Sequence, residues 1–529
     1  MPLRTVTDAH IWTGDPHGPW AKHMTLADGR VESLGNISRD GETLHLPGAF
    51  ILPGLIDSHA HLLMGGLFMQ RLDLSGAKSR DDFDRLIALH AAQLAPDRWI
   101  EAFGWDEQHW DGTRPDLSWL RAAGDRPAIA WRCDQHVVLV NGRVLELLGL
   151  VERCDDIPGG TVVRDERGAA TGLLLEQAAW KVLGPRIPPP TLAMRHHALR
   201  EACAHFLSVG VTRVGAMEYL DDIENVFLPA RADGSLTLRI AATVLDRERP
   251  LPFARADALH GDDFLRIIGF KSFADGTLGS STASMLDRYS DAPASTTLSG
   301  QGVGSLMEHA LEGTLTDWMR EVLAAGYSPS VHAIGDRALE EVLRAATACD
   351  TQLRTRFEHA QTVHPDSVAR FRGRLVSMQP FHKATDAPLA RTRLGTHRTN
   401  RLFQFRSYLT HGARLAFGSD WPIACADPLE GMRVAITGEA LDGCVYGANQ
   451  NLTAYEAITA YTSGAAECLG HCNGAGHLNA GSPADFVALD RNPLACNWMD
   501  ESPQVLLTVV NGVVRYDATG NHVVTTATA

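Results

Sequence analysis

Two histidines one residue apart, His59 and His61, end the apolar run that contains Leu55 and Ile56. Side chains of a strand alternate with a period of two, so both imidazoles leave the same side. Two neutral imidazoles on one side make half a metal site, although a bare His-x-His alone reads more readily as two ordinary, partly buried histidines. Other ionisable residues end apolar runs in the same way. Lys271 follows Gly269-Phe270, His332 follows Val331, Glu358-His359 follows Phe357, and Asp420 follows Phe417-Gly418-Ser419. Four histidines, one lysine and one aspartate are costly to bury together unless a cation or a proton network compensates. Such a set suits a divalent cation and the activation of a water molecule.

Groups so distant in the chain need a scaffold that gathers strand ends. Buried strands read at residues 55–59, 211–215, 238–245, 265–271, 329–332, 356–359, 375–379 and 414–420. Helical stretches such as 194–207, 315–325 and 338–349 lie between several of them. Eight alternating units predict an α/β fold, a (β/α)8 TIM barrel, with its chemistry at the C-terminal ends of the strands. The first 50 or so residues read as short strands punctuated by Gly29, Gly35 and Gly41, too small a unit to be stable alone. Residues 484–490 read as a strand, and 504–516 as a hairpin turning at Asn511-Gly512. Both ends are expected to join as one composite β-sandwich, 1–54 with 480–529, beside a barrel of 55–67 and 190–479. Residues 68–189 differ in composition, with an amphipathic helix over 81–94, several strands and the tryptophans Trp99, Trp105, Trp110, Trp119, Trp131 and Trp180. They are expected to form an α/β insertion after barrel strand one, near the active-site mouth.

The 529 residues are 45% hydrophobic and carry a net charge of −15, which argues against a nucleic-acid partner, since such binding rests on a basic surface. Asp57, His59 and His61 interrupt the best candidate for an apolar run of membrane length, so no membrane partner is expected. The N-terminus, Met1-Pro2-Leu3-Arg4-Thr5, lacks the apolar core of a signal peptide. Nine scattered cysteines make a disulfide framework a poor reading, and a cytoplasmic protein is expected. A homodimer is left open. Cys468 and Cys472, with His471 and His477, form the tightest Cys/His cluster, but the spacing fits no common zinc template.

The motifs together resemble the amidohydrolase superfamily, and more narrowly the branch that includes N-substituted formamide deformylases. The segments that carry the resemblance are 53–61, 271–280, 332–338, 358–361, 418–422 and 481–485. The resemblance implies zinc, one or two ions per chain, with other divalent metals compatible. His59 and His61 would bind the first ion. Lys271, carboxylated on its amine, would bridge two ions, and His332 and His359 would bind the second. Asp420 would bind the first ion and exchange a proton with its water. A lysine ammonium offers no acceptor, and carboxylation makes it an oxygen ligand. The residue-level alternative is a Lys271–Asp275 salt bridge and a single metal.

The reading is a metal-dependent hydrolase that cleaves a C–N bond of a small-molecule amide or N-substituted formamide, with Asp420, His332 and His359 in catalysis. Trp105, His136, Thr277, Gln379 and Trp421 are candidate substrate contacts. Asp336 is read as the cap of the helix that starts near Arg337. One alternative is a hydrolase of a lactone, cyclic amide or carbamate on the same site. The other is a barrel without catalysis that binds a ligand or partner.

Overall fold

The structure is a computed structural model. It describes residues 3–36, 41–95, 98–110, 112–132, 137–152, 160–176, 178–259, 261–279, 281–292, 302–470 and 473–520. The chain divides into two compact units, residues 1–65 with 199–529, and residues 66–198.

In the larger unit eight parallel strands form one sheet in chain order: β1 (Leu55–Ala60), β2 (Val211–Glu218), β3 (Arg239–Val244), β4 (Leu265–Phe273), β5 (Ser328–Ala333), β6 (Arg356–His359), β7 (Leu375–Met378) and β8 (Arg414–Phe417). β1, β2 and β3 are buried at every residue, as expected of parallel strands covered on both faces. The first and last strands are tied at their C-terminal ends. The Asp420 N–H donates to the His59 carbonyl at 2.7 Å, and the His61 N–H to the Trp421 carbonyl at 2.8 Å. The Asp57 carboxylate accepts the N–H groups of His59 and Ser419. This closure needs a glycine at 418, because a Cβ there would lie 2.6 Å from both the Asp57 carboxylate and the His59 nitrogen. Ile56, Ala241, Leu375 and Ala416 pack against Ala465, Ala466, Cys468 and Leu469 of the chain that follows β8. This apolar layer forms the base on which the polar end stands.

Two further sheets pack together, one built from the N-terminal segment alone and the other from both chain ends. One holds Arg30–Leu34, Met24–Ala27, Leu3–Thr7 and Glu42–His45. The other runs Val513–Asp517, Val505–Val510, Phe486–Leu489, Phe50–Pro53, His10–Trp12 and Trp20–Ala21. Val6, Met24 and Leu26 of the first share one core with Ile51, Phe486 and Val509 of the second, so the composite sandwich is real.

The smaller unit is built on a six-stranded sheet in the order Gly160–Arg164, Ala170–Glu176, Val137–Val140, Ala128–Arg132, Ile100–Trp105 and Leu72–Asp73. Helix Arg80–Gln93 packs Phe83 and Ile87 onto it, and its start is capped by the Ser79 side chain accepting from the Asp82 N–H. Among the described residues, no helix is long and apolar enough to cross a membrane.

Candidate metal centre

The C-terminal end of the barrel gathers the residues that the strand ends supply. His59 and His61 point their Nε2 atoms at Asp420 Oδ1, at 3.4 and 3.3 Å. Asp420 follows β8 with φ 60°, and His359 ends β6 with φ 66°. Non-glycine residues hold such angles at a cost of about 1–3 kcal/mol, and strain of this kind collects at functional sites. The other carboxylate oxygen of Asp420, Oδ2, lies 3.7 Å from His382 Nε2. The rings of His382 and His359 stack, with centroids 5.9 Å apart and planes 8° from parallel. Two donor sets share Asp420: His59, His61 and Asp420, and His359, His382 and Asp420, each with its ligand atoms within 4.8 Å of one another.

The sequence reading missed His382. It lies three residues beyond Gln379, in the first turn of helix Pro380–Leu394, which directly follows β7. The available signal was position, a histidine one helical turn past a strand end, rather than a strand terminus itself.

Lys271 is buried in β4, with Nζ 3.4 Å from His59 Nε2. It makes no salt bridge with Asp275, which corrects the alternative reading. The Asp275 carboxylate instead accepts the N–H groups of Ser284, Ile334 and Gly335, at 2.8, 3.0 and 2.8 Å. His332 turns Nε2 to the Gly276 carbonyl at 3.0 Å, and its ring centroid is 4.4 Å from that of His359. It therefore adjoins the second donor set without belonging to it. Asp336 is not a cap, because Gly335 holds that position. The Asp336 carboxylate binds the Leu286 N–H and the Arg401 guanidinium.

Burial governs the charge states. It pushes His332 down to about 3 and holds His359 well below, and His61 below, the ordinary histidine value. These imidazoles are uncharged and carry a lone pair, the form that binds a metal. Burial raises the Asp420 carboxyl, but the His59 and His61 imidazoles beside it outweigh that, so the group stays well below the usual range and ionised. Burial lowers Lys271 to about 8, so an uncharged amine is accessible near neutral pH. His359 Nδ1 and His382 Nε2 are buried without a hydrogen-bond partner. Buried polar atoms are almost always paired. Two orphaned imidazole nitrogens beside a shared carboxylate fit a divalent cation.

The expected substrate contacts separate. Gln379, at the end of β7, is buried with both amide atoms unpartnered. Trp421 is 8% exposed and packs on Phe206 and His205. Its ring covers Gly65, where a Cβ would come within 2.0 Å of it. Thr277 is exposed after β4. Trp105 is corrected to a packing residue: it is 1% exposed in the core of the smaller unit, and its indole N–H donates to the Ala130 carbonyl at 2.8 Å. His136 lies outside the described residues, as do His471 and Cys472 of the Cys/His cluster.

Residues 42–516 match the Amidohydrolase family. The chain belongs to that family. The protein LONG AFTER FAR-RED 3 of Arabidopsis thaliana is 31% identical over 97% of this chain and 91% of its own length. The N-substituted formamide deformylase of Arthrobacter pascens is 26% identical over 98% of each. The crystal structure of an uncharacterized metal-dependent hydrolase from Pyrococcus horikoshii superposes with a TM-score of 0.77 at 26% identity, covering 95% of this chain and 100% of that one. An amidohydrolase barrel accounts for the site's place at the C-terminal ends of the strands.

Proposed function

We propose that this amidohydrolase-family chain is a metal-dependent hydrolase that cleaves the C–N bond of a small-molecule amide or N-substituted formamide. The observation that carries the reading is Asp420 shared between two donor sets, beside two buried imidazole nitrogens without partners. The formamide deformylase relative supports the choice of bond. In this reading His59, His61 and Asp420 hold one zinc ion. His359 would hold a second with His332 or His382, and Lys271, carboxylated on its amine by carbon dioxide with loss of a proton, would supply oxygen ligands to the centre. Bound zinc supplies Lewis acidity and lowers the pKa of the water it holds. Asp420, ionised at neutral pH, takes the proton of the attacking water and returns it to the leaving nitrogen. His359, and His332 once its N–H turns from the Gly276 carbonyl, would orient the carbonyl oxygen, both being uncharged. Gln379 and Trp421 are the substrate contacts retained from the sequence. The six cysteines within the described residues are free, which supports work in a reducing cytoplasm.

Metal analysis of the purified protein, followed by a kinetic screen of N-alkyl formamides, simple amides, dipeptides, hydantoins and lactones, tests this. The expected result is bound zinc, chelator-sensitive turnover of formamides or amides, and loss of both metal and turnover in His59→Ala. Turnover confined to lactones would overturn the choice of bond. Full activity in metal-free protein would overturn the mechanism.

A further inference from the structure

Beneath the donor sets runs a chain of buried polar groups that takes no direct part in the proposed chemistry. Arg356 and Glu358, two residues apart on β6, both face the barrel interior and are fully buried. The Arg356 guanidinium donates to Glu358 Oε1 at 2.9 Å and to the Ser58 carbonyl at 2.7 Å, and it also bonds Cys468 in the apolar base. Ser330 of β5 donates its hydroxyl to the same Glu358 oxygen at 2.6 Å. The other oxygen, Oε2, lies 2.6 Å from His59 Nδ1. A carboxylate only accepts, so the proton on His59 sits on Nδ1 and leaves Nε2 with its lone pair facing Asp420. Arg356 thus holds His59 twice, through the carboxylate behind its ring and through the backbone of the residue before it.

We propose that Arg356 is a positioning residue for the metal centre, setting through Glu358 which nitrogen of His59 carries the proton and where the ring points. This rests on reading His59 as a metal ligand. Stability alone does not require a buried ion pair, which well-packed apolar residues often replace without loss. A pair built around a ligand's second nitrogen has a use that packing lacks.

The test uses the full chain, stripped of metal and titrated with Co2+ alone, with the visible ligand-field bands as readout. Arg356→Met is expected to weaken Co2+ binding roughly 10–100-fold and to shift those bands, the size of effect seen when an outer partner of a ligating histidine is lost. Arg356→Lys keeps a cation without the two-pronged donor and is expected to fall between. Arg213→Met is the control for losing a buried arginine. Arg213 is on β2 and pairs with Asp263 at 3.3 Å, away from the donor sets, and this variant is expected to bind Co2+ as the parent does. A folded Arg356→Met with parental affinity and bands overturns the proposal, as does an equal loss in Arg213→Met. Where Arg356→Met does not fold, Glu358→Gln is measured instead, and parental affinity there overturns it equally. A parent protein that binds no Co2+ overturns the metal reading itself, and with it this proposal.

Discussion

The core of the smaller unit and the C-terminal mouth of the barrel treat buried polar atoms in opposite ways. In the former, the Trp105 indole N–H ends on the Ala130 carbonyl. Asn141 gives its amide N–H to the Arg126 carbonyl, and its oxygen accepts the N–H groups of Ala128 and Val144. These side chains are buried and complete. In the mouth, Gln379, His359 and His382 are also buried, yet each keeps at least one polar atom without a partner. Unmet hydrogen bonds cost about 1–3 kcal/mol each, so a fold retains them where something else supplies the partner. Burial therefore does not tell Trp105 and Asn141 from Gln379, His359 and His382, and the missing partner does; atoms such as Asp84 Oδ1 and Thr355 Oγ1 also lack one away from the mouth, so it is the missing partners gathered around Asp420 that mark the site.

The largest effect that separates the two regions is expected of His382→Ala. Turnover should drop on the order of 100-fold, with part of the bound metal lost, measured by steady-state kinetics and metal content together. Unchanged metal content would move His382 to the packing class. Glu218 tests an intermediate case, a buried carboxyl that has a partner yet is strained electrostatically. It ends β2, accepts the Leu63 N–H at 3.0 Å, and is pushed up to about 8 by burial. Its folded value lies above the ordinary 4.5, so its contribution is complete below pH 4.5 and is lost as pH rises through 8. Unfolding free energies from pH 5 to 9 should show the parent losing about 1.4 kcal/mol per pH unit relative to Glu218→Gln up to about pH 8, and levelling off above it. Parallel curves would mean the carboxyl is ionised throughout.

Gln379→Met removes two unpartnered atoms at nearly constant volume. The metal-free protein should gain about 1–3 kcal/mol in chemical denaturation while turnover falls. Lower stability would show that the amide is already satisfied. The smallest effect is expected of Trp105→Phe, a loss of about 1 kcal/mol for one hydrogen bond, with turnover unchanged. A changed KM would return Trp105 to the substrate contacts.

Much of this was legible before any coordinates. The period-two placement of His59 and His61 and the ionisable residues at the ends of five of the eight apolar runs told of a barrel with an ionisable rim. The turn at Asn511-Gly512 announced the C-terminal hairpin, which pairs Val510 with Val513. What stayed hidden was partnership. The sequence of Lys271 and Asp275, four residues apart, suggests a salt bridge, but three backbone N–H groups from two other segments claim the carboxylate. Gln379 and Trp105 read alike as polar-tipped residues at strand ends, and only their neighbours told them apart.

By itself, then, the sequence determined the alternation of strands and helices, the apolar interior and which strand ends carry ionisable groups. Those follow from local period and residue type. The tertiary structure alone decided that His382 faces Asp420, that Arg356 stands behind His59 through Glu358, and that His332 turns to the Gly276 carbonyl. Each is a contact across the barrel or at its rim, between residues brought together by closure of the sheet, and no local pattern encodes which side chain closure will place opposite another.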